Sequence, residues 1–329
     1  MRFHGDLSCE LSPVRFPNPF RIQPGAKFTL IQQLKKHTFL VKLTISLTLL
    51  VYCSQQLDFA SIANITTRPA WLFSALLLIV IGHCVGALRF KLLFDPICRV
   101  SISTHTKYYF WAGFFNAALP TSIGGDAMRV FWLRDSQVSL HRATIYVLLE
   151  RALGVVTLLV IAVFSTFFAE IEDSLRTLMW GVVSLFTGIS VGVTLIALGS
   201  RRLPLIQQLI ESLSTLTANL SGRTMVMIFC LSIAYQTITV VTTIFVAESV
   251  NLSLSWGIWF FIAPLIWLLT ALPLSVGGLG VREVGLIYFL GVYAQAEEYA
   301  MAIGLLTFAV YLLAGLIGGV WYMVDRKKI

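Results

Sequence analysis

The 329-residue chain is 57% hydrophobic and only 12% charged, whereas a soluble domain carries about 25% charged residues. This balance excludes an ordinary soluble domain and indicates an all-α polytopic membrane protein. The formal net charge of +8 is not evidence for nucleic-acid binding, because no basic face with interleaved aromatic side chains lies outside the apolar segments. The basic residues should instead mark cytoplasmic loops.

The first 37 residues are polar, contain four prolines and lack the apolar stretch of a secretory signal peptide. We expect a disordered or surface-lying arm over residues 1–37. A membrane domain should follow over residues 38–324, and a short cytoplasmic tail over residues 325–329.

Six apolar segments have about the 20 residues needed to cross a bilayer. They lie at about 38–57, 70–93, 143–168, 177–198, 225–247 and 299–324. In the fifth, one helical face carries four polar side chains, for which we expect hydrogen bonds to a neighbouring helix: Ser232, Gln236, Thr239 and Thr243. Gly315, Gly318 and Gly319 in the sixth favour close helix packing.

A short motif occurs twice between these spans. Residues 118–129 read ALPTSIGGDAMR and residues 271–282 read ALPLSVGGLGVR, which are identical at seven of twelve positions with a constant offset of 153. Proline removes a backbone donor and glycine permits positive φ, so each copy predicts a break in a helix. An ordinary structural kink is the alternative, because Gly and Pro are common in membrane helices.

Each copy is flanked by apolar runs that are too short to cross the membrane. The stretch from Tyr108 to Leu119 has only twelve residues, and residues 256–272 and 284–294 flank the second copy. This pattern predicts two re-entrant hairpins. A broken helix at membrane depth is tolerated only where it is buried in protein or lines a wet cavity, and matching breaks in two halves indicate a transport site.

The loop charges predict the topology. With the N-terminus inside, seventeen basic residues lie on the cytoplasmic side, and only Arg68 and Arg176 lie outside. The positive-inside rule therefore predicts that both termini face the cytoplasm. Three spans separate the hairpins, so the two repeats should be inverted.

Three features together resemble one family. They are Leu-Pro-x-x-x-Gly-Gly-Asp-x-x-Arg near the middle, a Glu-Arg pair in the following span, and Leu-Pro-x-Ser-x-Gly-Gly-Leu-Gly-x-Arg-Glu near the end. Over about residues 38–324 they look like the lysylphosphatidylglycerol synthase transmembrane region, also called the flippase-like family. The resemblance implies a polytopic protein of a bacterial-type inner membrane that moves phospholipids or lipid-linked precursors, such as polyprenyl-phosphate-linked substrates, between leaflets.

The resemblance also implies a set of substrate-binding residues, to which the repeat adds Ser122. The full set is Pro120, Ser122, Gly124, Gly125, Asp126, Arg129, Glu150, Arg151, Pro273, Ser275, Gly277, Gly278, Gly280, Arg282 and Glu283. The family's full synthases carry a soluble aminoacyltransferase domain after the membrane region. This chain ends at Ile329, so we expect no such activity.

These residue types suit an anionic or zwitterionic headgroup. Arg129 and Arg282 can offer bidentate contacts to a phosphate, and backbone N–H groups around the Gly pairs can bind an anion. Asp126, Glu150 and Glu283 can hold the arginines when no substrate is bound. The alternative is that these charges only pair with each other and fix the hairpins.

Other functional classes remain to be separated. The chain has no HExxH, GxSxG or Walker motif and no metal-spaced cluster, so we expect no enzyme activity, catalytic residue, cofactor or metal site. An inverted repeat alone would also suit an ion-coupled carrier of small solutes. A third alternative is a membrane scaffold for a glycosyltransferase or a synthase.

Overall fold

The computed structural model describes most of the chain after its N-terminal segment. The described residues are 41, 43–49, 51, 65, 67–96, 98–118, 124–135, 138–199, 220–272 and 275–326. Within them the chain is helical and contains no strand. The predicted arm over residues 1–37 lies outside them. So does most of the predicted first span, of which residues 43–49 are helical.

Beyond that segment, the helices occur in the following order. They are α1 Pro69–Phe94, α2 Ile102–Ala118, α3 Gly124–Asp135, α4 Leu140–Ser165, α5 Asp173–Gly199, α6 Gly222–Ser249, α7 Trp256–Ala271, α8 Val281–Val292 and α9 Glu297–Arg326. Local signals set several starts. Pro69 opens α1, and Ser139, Ser221 and Ser255 accept hydrogen bonds from the first turns of α4, α6 and α7.

Four described helices, α1, α4, α6 and α9, are long and apolar enough to cross a membrane. They correspond to the predicted spans at 70–93, 143–168, 225–247 and 299–324, and the span predicted at 177–198 lies within α5. Large apolar side chains face outward on these helices, as with Phe73, Phe164 and Val320, which are 62%, 62% and 63% exposed. An all-α polytopic membrane protein is therefore confirmed.

Each repeat motif includes the end of one short helix and the start of the next, and the two helices pack against each other. α2 and α3 have 17 and 12 residues, and α7 and α8 have 16 and 12. At 1.5 Å per residue these helices are roughly 18–26 Å long, less than the roughly 30 Å hydrocarbon core. The motifs therefore form two hairpins of short helices, as the sequence predicts.

The two hairpins begin on opposite faces of the molecule. α2 starts a few residues after α1 ends, and Lys107 near its start pairs with Asp325 at the end of α9. α7 starts shortly after the end of α6, where the Arg68 N–H donates to the Ser249 carbonyl at 2.7 Å. The first hairpin therefore begins beside the end of α1, and the second begins beside its start. Because the two ends of α1 lie on opposite faces, the hairpins are inverted relative to each other.

Close packing holds the first hairpin against the last helix. A Cβ added at Gly318 of α9 would lie 2.0 Å from the Phe110 carbonyl oxygen of α2, and one at Gly319 would lie 2.6 Å from the Phe114 ring. Such approach is possible only without side chains. The predicted role of these glycines in close helix packing is confirmed, and it fixes the helix that carries Tyr109 and Asn116.

Candidate functional site

A single cavity of about 730 Å³ receives residues from both repeat motifs. The first motif contributes Asp126 and Arg129, and the second contributes Gly277 and Arg282. Its volume falls in the ~300–1,000 Å³ range of small-molecule sites. The two halves of the chain therefore meet at one place, as the repeat predicts.

The first motif ends in a buried ion-pair network with α4. Arg129 Nη1 donates to Glu150 Oε2 at 2.5 Å, and its Nη2 donates to Asp126 Oδ1. The other Asp126 oxygen accepts from Arg151 Nε. Glu150, Asp126 and Arg129 are 2%, 5% and 7% exposed. The acidic residues therefore hold the arginines, as expected.

The sequence reasoning missed the third arginine of this network, Arg89 of α1. Its Nη2 donates to Glu150 Oε1 at 2.6 Å, and the Tyr109 hydroxyl donates to the same oxygen at 2.9 Å. The sequence alone favours the membrane interface for Arg89 and Lys91, because both lie near the end of the span predicted at 70–93. Four apolar residues follow Arg89 up to Phe94, interrupted only by Lys91, and they could have indicated a deeper position for Arg89.

Aromatic rings cover the faces of these guanidinium groups. Arg89 lies 4.9 Å from the centre of the Tyr235 ring, and Arg129 lies 5.0 Å from Tyr109 and 5.2 Å from Phe90. Such contacts stabilise a desolvated cation. They also leave the N–H groups at the guanidinium edges as the polar surface that each arginine offers.

The glycine pair of the first motif does not act as predicted. Gly124 and Gly125 begin α3 as helical residues, so the expected positive φ at Gly125 is wrong. The absence of a side chain matters there for another reason. A Cβ added at Gly125 would lie 2.2 Å from the Ala112 carbonyl oxygen. The Gly125 N–H donates to Asn116 Oδ1 at 2.7 Å, which joins α3 to α2.

The second motif has the left-handed turn that the glycines predict. Gly277, Gly278 and Gly280 have φ values of 60°, 80° and 84°, a region that residues with a Cβ rarely adopt. The Gly280 N–H donates to Glu283 Oε2 at 2.6 Å, so Glu283 caps the start of α8. This turn sets the orientation of Arg282.

Arg282 is paired within its own motif. Its Nε and Nη2 donate to Glu283 Oε1 at 3.1 and 2.8 Å, and the two residues are 5% and 0% exposed. The helical segment 43–49 contacts the same turn, where the Val276 N–H donates to Ser46 Oγ at 2.9 Å. The second motif is thus held by an ion pair within the motif and by a hydrogen bond to the segment 43–49.

The polar face of α6 behaves largely as expected. Gln236 Nε2 donates to the Gly154 carbonyl of α4 at 3.1 Å, and Trp267 of α7 donates to Thr243 Oγ1 at 3.3 Å. Ser232, by contrast, bonds to its own helix. Gln236 and Thr239 also line the cavity, so this face serves both packing and the site.

The structure sorts the predicted site residues into three groups. Those lining the cavity are Asp126, Arg129, Glu150, Arg151, Gly277 and Arg282. A second group lies in or beside the two motif turns without lining the cavity: Gly124, Gly125, Ser275, Gly278, Gly280 and Glu283. Pro120, Ser122 and Pro273 lie outside the described residues.

Fold and site together define a polytopic membrane protein with two inverted helical hairpins around one arginine-lined cavity. The chain matches the family described as the Lysylphosphatidylglycerol synthase TM region over residues 39–319, and it belongs to that family. It is 28% identical to a UPF0104 membrane protein of Methanocaldococcus jannaschii over 234 residues. The aligned region covers 65% of this chain and 95% of that protein. No solved structure matches the chain.

Proposed function

We propose that this protein translocates a phospholipid or a lipid-linked precursor between membrane leaflets. The observation that carries the proposal is the single cavity that combines buried arginines from both inverted hairpins with an apolar lining. A lipid has the same two-part character, since a charged headgroup is joined to hydrocarbon chains. The resemblance to the flippase-like family points to the same class.

The polar part of the cavity suits a phosphate. Arg129 and Arg282 reach it from opposite repeats, and each guanidinium can form a fork with phosphate oxygens. A charged headgroup is expensive to move through hydrocarbon unless protein groups compensate it along the way. In this proposal, the ion pairs of Arg129 and Arg282 open in part when the phosphate binds.

The apolar part suits the acyl or prenyl chains. Leu158, Phe186, Leu268, Phe308 and Leu312 from α4, α5, α7 and α9 also line the cavity. A carrier of small ionic solutes would have little use for such a lining, so we favour a lipid over a soluble solute. We propose no enzymatic step and an inner-membrane location with both termini in the cytoplasm.

Reconstitution in vesicles tests this proposal. Vesicles would contain a trace of headgroup-labelled phospholipid in both leaflets, and a membrane-impermeant quencher would be added outside. With the protein present, the inner-leaflet label should become accessible to the quencher. Protein-free vesicles, and vesicles with Arg129→Gln/Arg282→Gln, should keep that label protected.

The alternatives give different results in the same preparation. Uptake of labelled glycerol phosphate with no lipid movement would indicate a solute carrier and overturn the proposal. Co-purification of a glycosyltransferase or synthase without movement of either probe would favour a scaffold. Lys91→Gln is the matched control, because Lys91 pairs with Asp95 on α1 and does not line the cavity.

A further inference from the structure

Arg89 is a buried arginine, and two of its hydrogen-bond donors are unsatisfied among the described residues. It is 4% exposed, lines the cavity and lies outside both repeat motifs. Its Nη2 is engaged by Glu150, but its Nε and Nη1 have no hydrogen-bond partner within the part of the chain that the structure describes. A buried charged donor without a partner is costly, so these groups point to a ligand in the cavity.

Arg129 presents the same feature beside it. Its two Nη atoms bind Glu150 and Asp126, while its Nε has no partner among the described residues. Glu150 accepts from both arginines, one at each oxygen. One carboxylate therefore holds two guanidinium groups that both line the cavity and both keep donor capacity.

Among the described residues around Glu150, arginines outnumber carboxylates. Asp126 and Glu150 are shared by Arg89, Arg129 and Arg151, so these five groups carry one positive charge in excess. The second motif is balanced, because Arg282 pairs with Glu283. A bound anion on this side of the cavity would give these arginines a further charged partner.

We propose that Arg89 and Arg129 together bind the monoanionic phosphodiester of a lipid with a net negative headgroup. This inference rests on the proposed translocation of lipids and narrows the substrate to anionic over zwitterionic lipids. Tyr235 and Tyr109 cover guanidinium faces, so the phosphate binds at the guanidinium edges, where Arg can form a bidentate contact. Arg89 is thus a binding residue of the cavity.

The carboxylates of the cavity explain the preference for an anionic over a zwitterionic lipid. Asp126 and Glu150, the acidic residues that line the cavity in the described ranges, already bind arginines. Neither is left to compensate the ammonium group of a zwitterionic lipid. A headgroup such as glycerol, which adds no positive charge to the phosphodiester, needs no such partner.

Binding to the full-length protein in detergent tests the inference. The probes are short-chain phosphatidylglycerol, short-chain phosphatidylcholine and inorganic phosphate, with affinity measured by calorimetry. We expect phosphatidylglycerol to bind at least tenfold more tightly than phosphatidylcholine. Arg89→Lys keeps the charge next to Glu150 but loses the fork, and we expect it to weaken phosphatidylglycerol binding at least tenfold.

Two further variants keep the test decisive if Arg89→Lys disturbs folding. Arg89→Gln keeps an amide that can donate to Glu150 Oε1 and leaves Glu150 paired with Arg129, so folding should be retained while phosphatidylglycerol binding is lost. Lys91→Gln removes a cation two positions along the same helix, outside the cavity, and should bind as the wild type does. Wild-type affinity in Arg89→Lys, or equal affinity for both lipids, would overturn the inference.

The remaining outcomes separate this inference from the proposed function. Inorganic phosphate binding as tightly as phosphatidylglycerol would assign the site to a soluble anion and reject a lipid ligand. Vesicle transfer that occurs equally for both lipids and does not depend on Arg89 would reject only the anionic selectivity. Arg89-dependent binding with no transfer of either lipid would instead reject the translocation proposal.

Discussion

Arg129 and Arg282 occupy equivalent positions in two motifs 153 residues apart, and both line the same cavity. Their ion pairs differ. Arg129 shares the carboxylates of Asp126 and Glu150 with two other arginines, whereas Arg282 is the one described arginine that pairs with Glu283. The repeat has therefore kept the arginine in both halves while its counter-charges have diverged.

Substitution of either arginine should strongly reduce lipid transfer. Removing one partner of a buried, charge-assisted hydrogen bond costs about 1.5–3 kcal/mol, so Arg129→Gln and Arg282→Gln should each slow transfer at least about tenfold. Arg→Lys at either position should retain little activity, because lysine loses the fork. Quencher access in reconstituted vesicles measures the rate.

A paired change distinguishes headgroup binding from ion pairing alone. Arg129→Gln/Asp126→Asn leaves Glu150 paired with Arg89 but without Arg129, and it removes the Asp126 charge from Arg151, whose side chain is 34% exposed. If the arginine merely balances Asp126, this double variant should regain wild-type transfer. Continued loss of transfer in a folded protein supports headgroup contact, and full recovery would defeat it.

Gly125 should be required for packing. Gly125→Ala would place a Cβ 2.2 Å from the Ala112 carbonyl oxygen, and overpacking of this kind costs about 1–3 kcal/mol. The melting temperature in detergent should fall while membrane insertion is retained. Gly181→Ala is the control, because a Cβ at Gly181 of α5 meets nothing within 4 Å. A Gly125→Ala protein as stable as Gly181→Ala would contradict the close approach of α3 to α2.

The sequence was sufficient for the helices and the hairpins because their signals are local. Apolar length defines α1, α4, α6 and α9, and the repeated Pro and Gly residues mark the breaks between α2 and α3 and between α7 and α8. The inverted arrangement also followed, since the number of spans between the motifs fixes their relative direction.

The burial of Arg89 and the different conformations of the two glycine pairs could not be predicted, because they depend on packing between distant segments. Arg89 and Lys91 are two positions apart and equally charged, yet only Arg89 is buried, against Glu150 of α4 and Tyr235 of α6. The identical glycine pairs also adopt different conformations. Gly280 provides a third glycine in the second turn, whereas Asp126 lies in the first turn of α3, where an acidic residue stabilises a helix N-terminus.

The orientation in the membrane can be tested by single-cysteine labelling in a cysteine-free background. Arg99→Cys and Glu172→Cys give two exposed positions on loops after α1 and α4. We expect Arg99→Cys to react only from the cytoplasmic side and Glu172→Cys only from the outside, because basic residues cluster on cytoplasmic loops. Labelling of both from one side would contradict the inverted hairpins, and exchange of the two sides would reverse only the predicted orientation.

The last prediction concerns the two tasks of Glu283. Its Oε2 caps α8 by accepting the Gly280 N–H, and its Oε1 pairs with Arg282. Glu283→Ala removes both contacts. Loss of a cap costs about 0.5–2 kcal/mol, and breaking a buried ion pair costs about 3–5 kcal/mol. Glu283→Ala should therefore lower the melting temperature strongly.

Glu283→Gln separates the two tasks. The amide oxygen can still accept the Gly280 N–H, but the charge opposite Arg282 is lost, so stability should fall between those of the wild type and Glu283→Ala. Glu172→Ala, which removes an exposed carboxylate, should change stability by no more than about 0.5 kcal/mol. Thermal unfolding of the four proteins measures the order. If Gln and Ala at position 283 are equally destabilising, the charge pair alone holds the second motif and the cap contributes nothing.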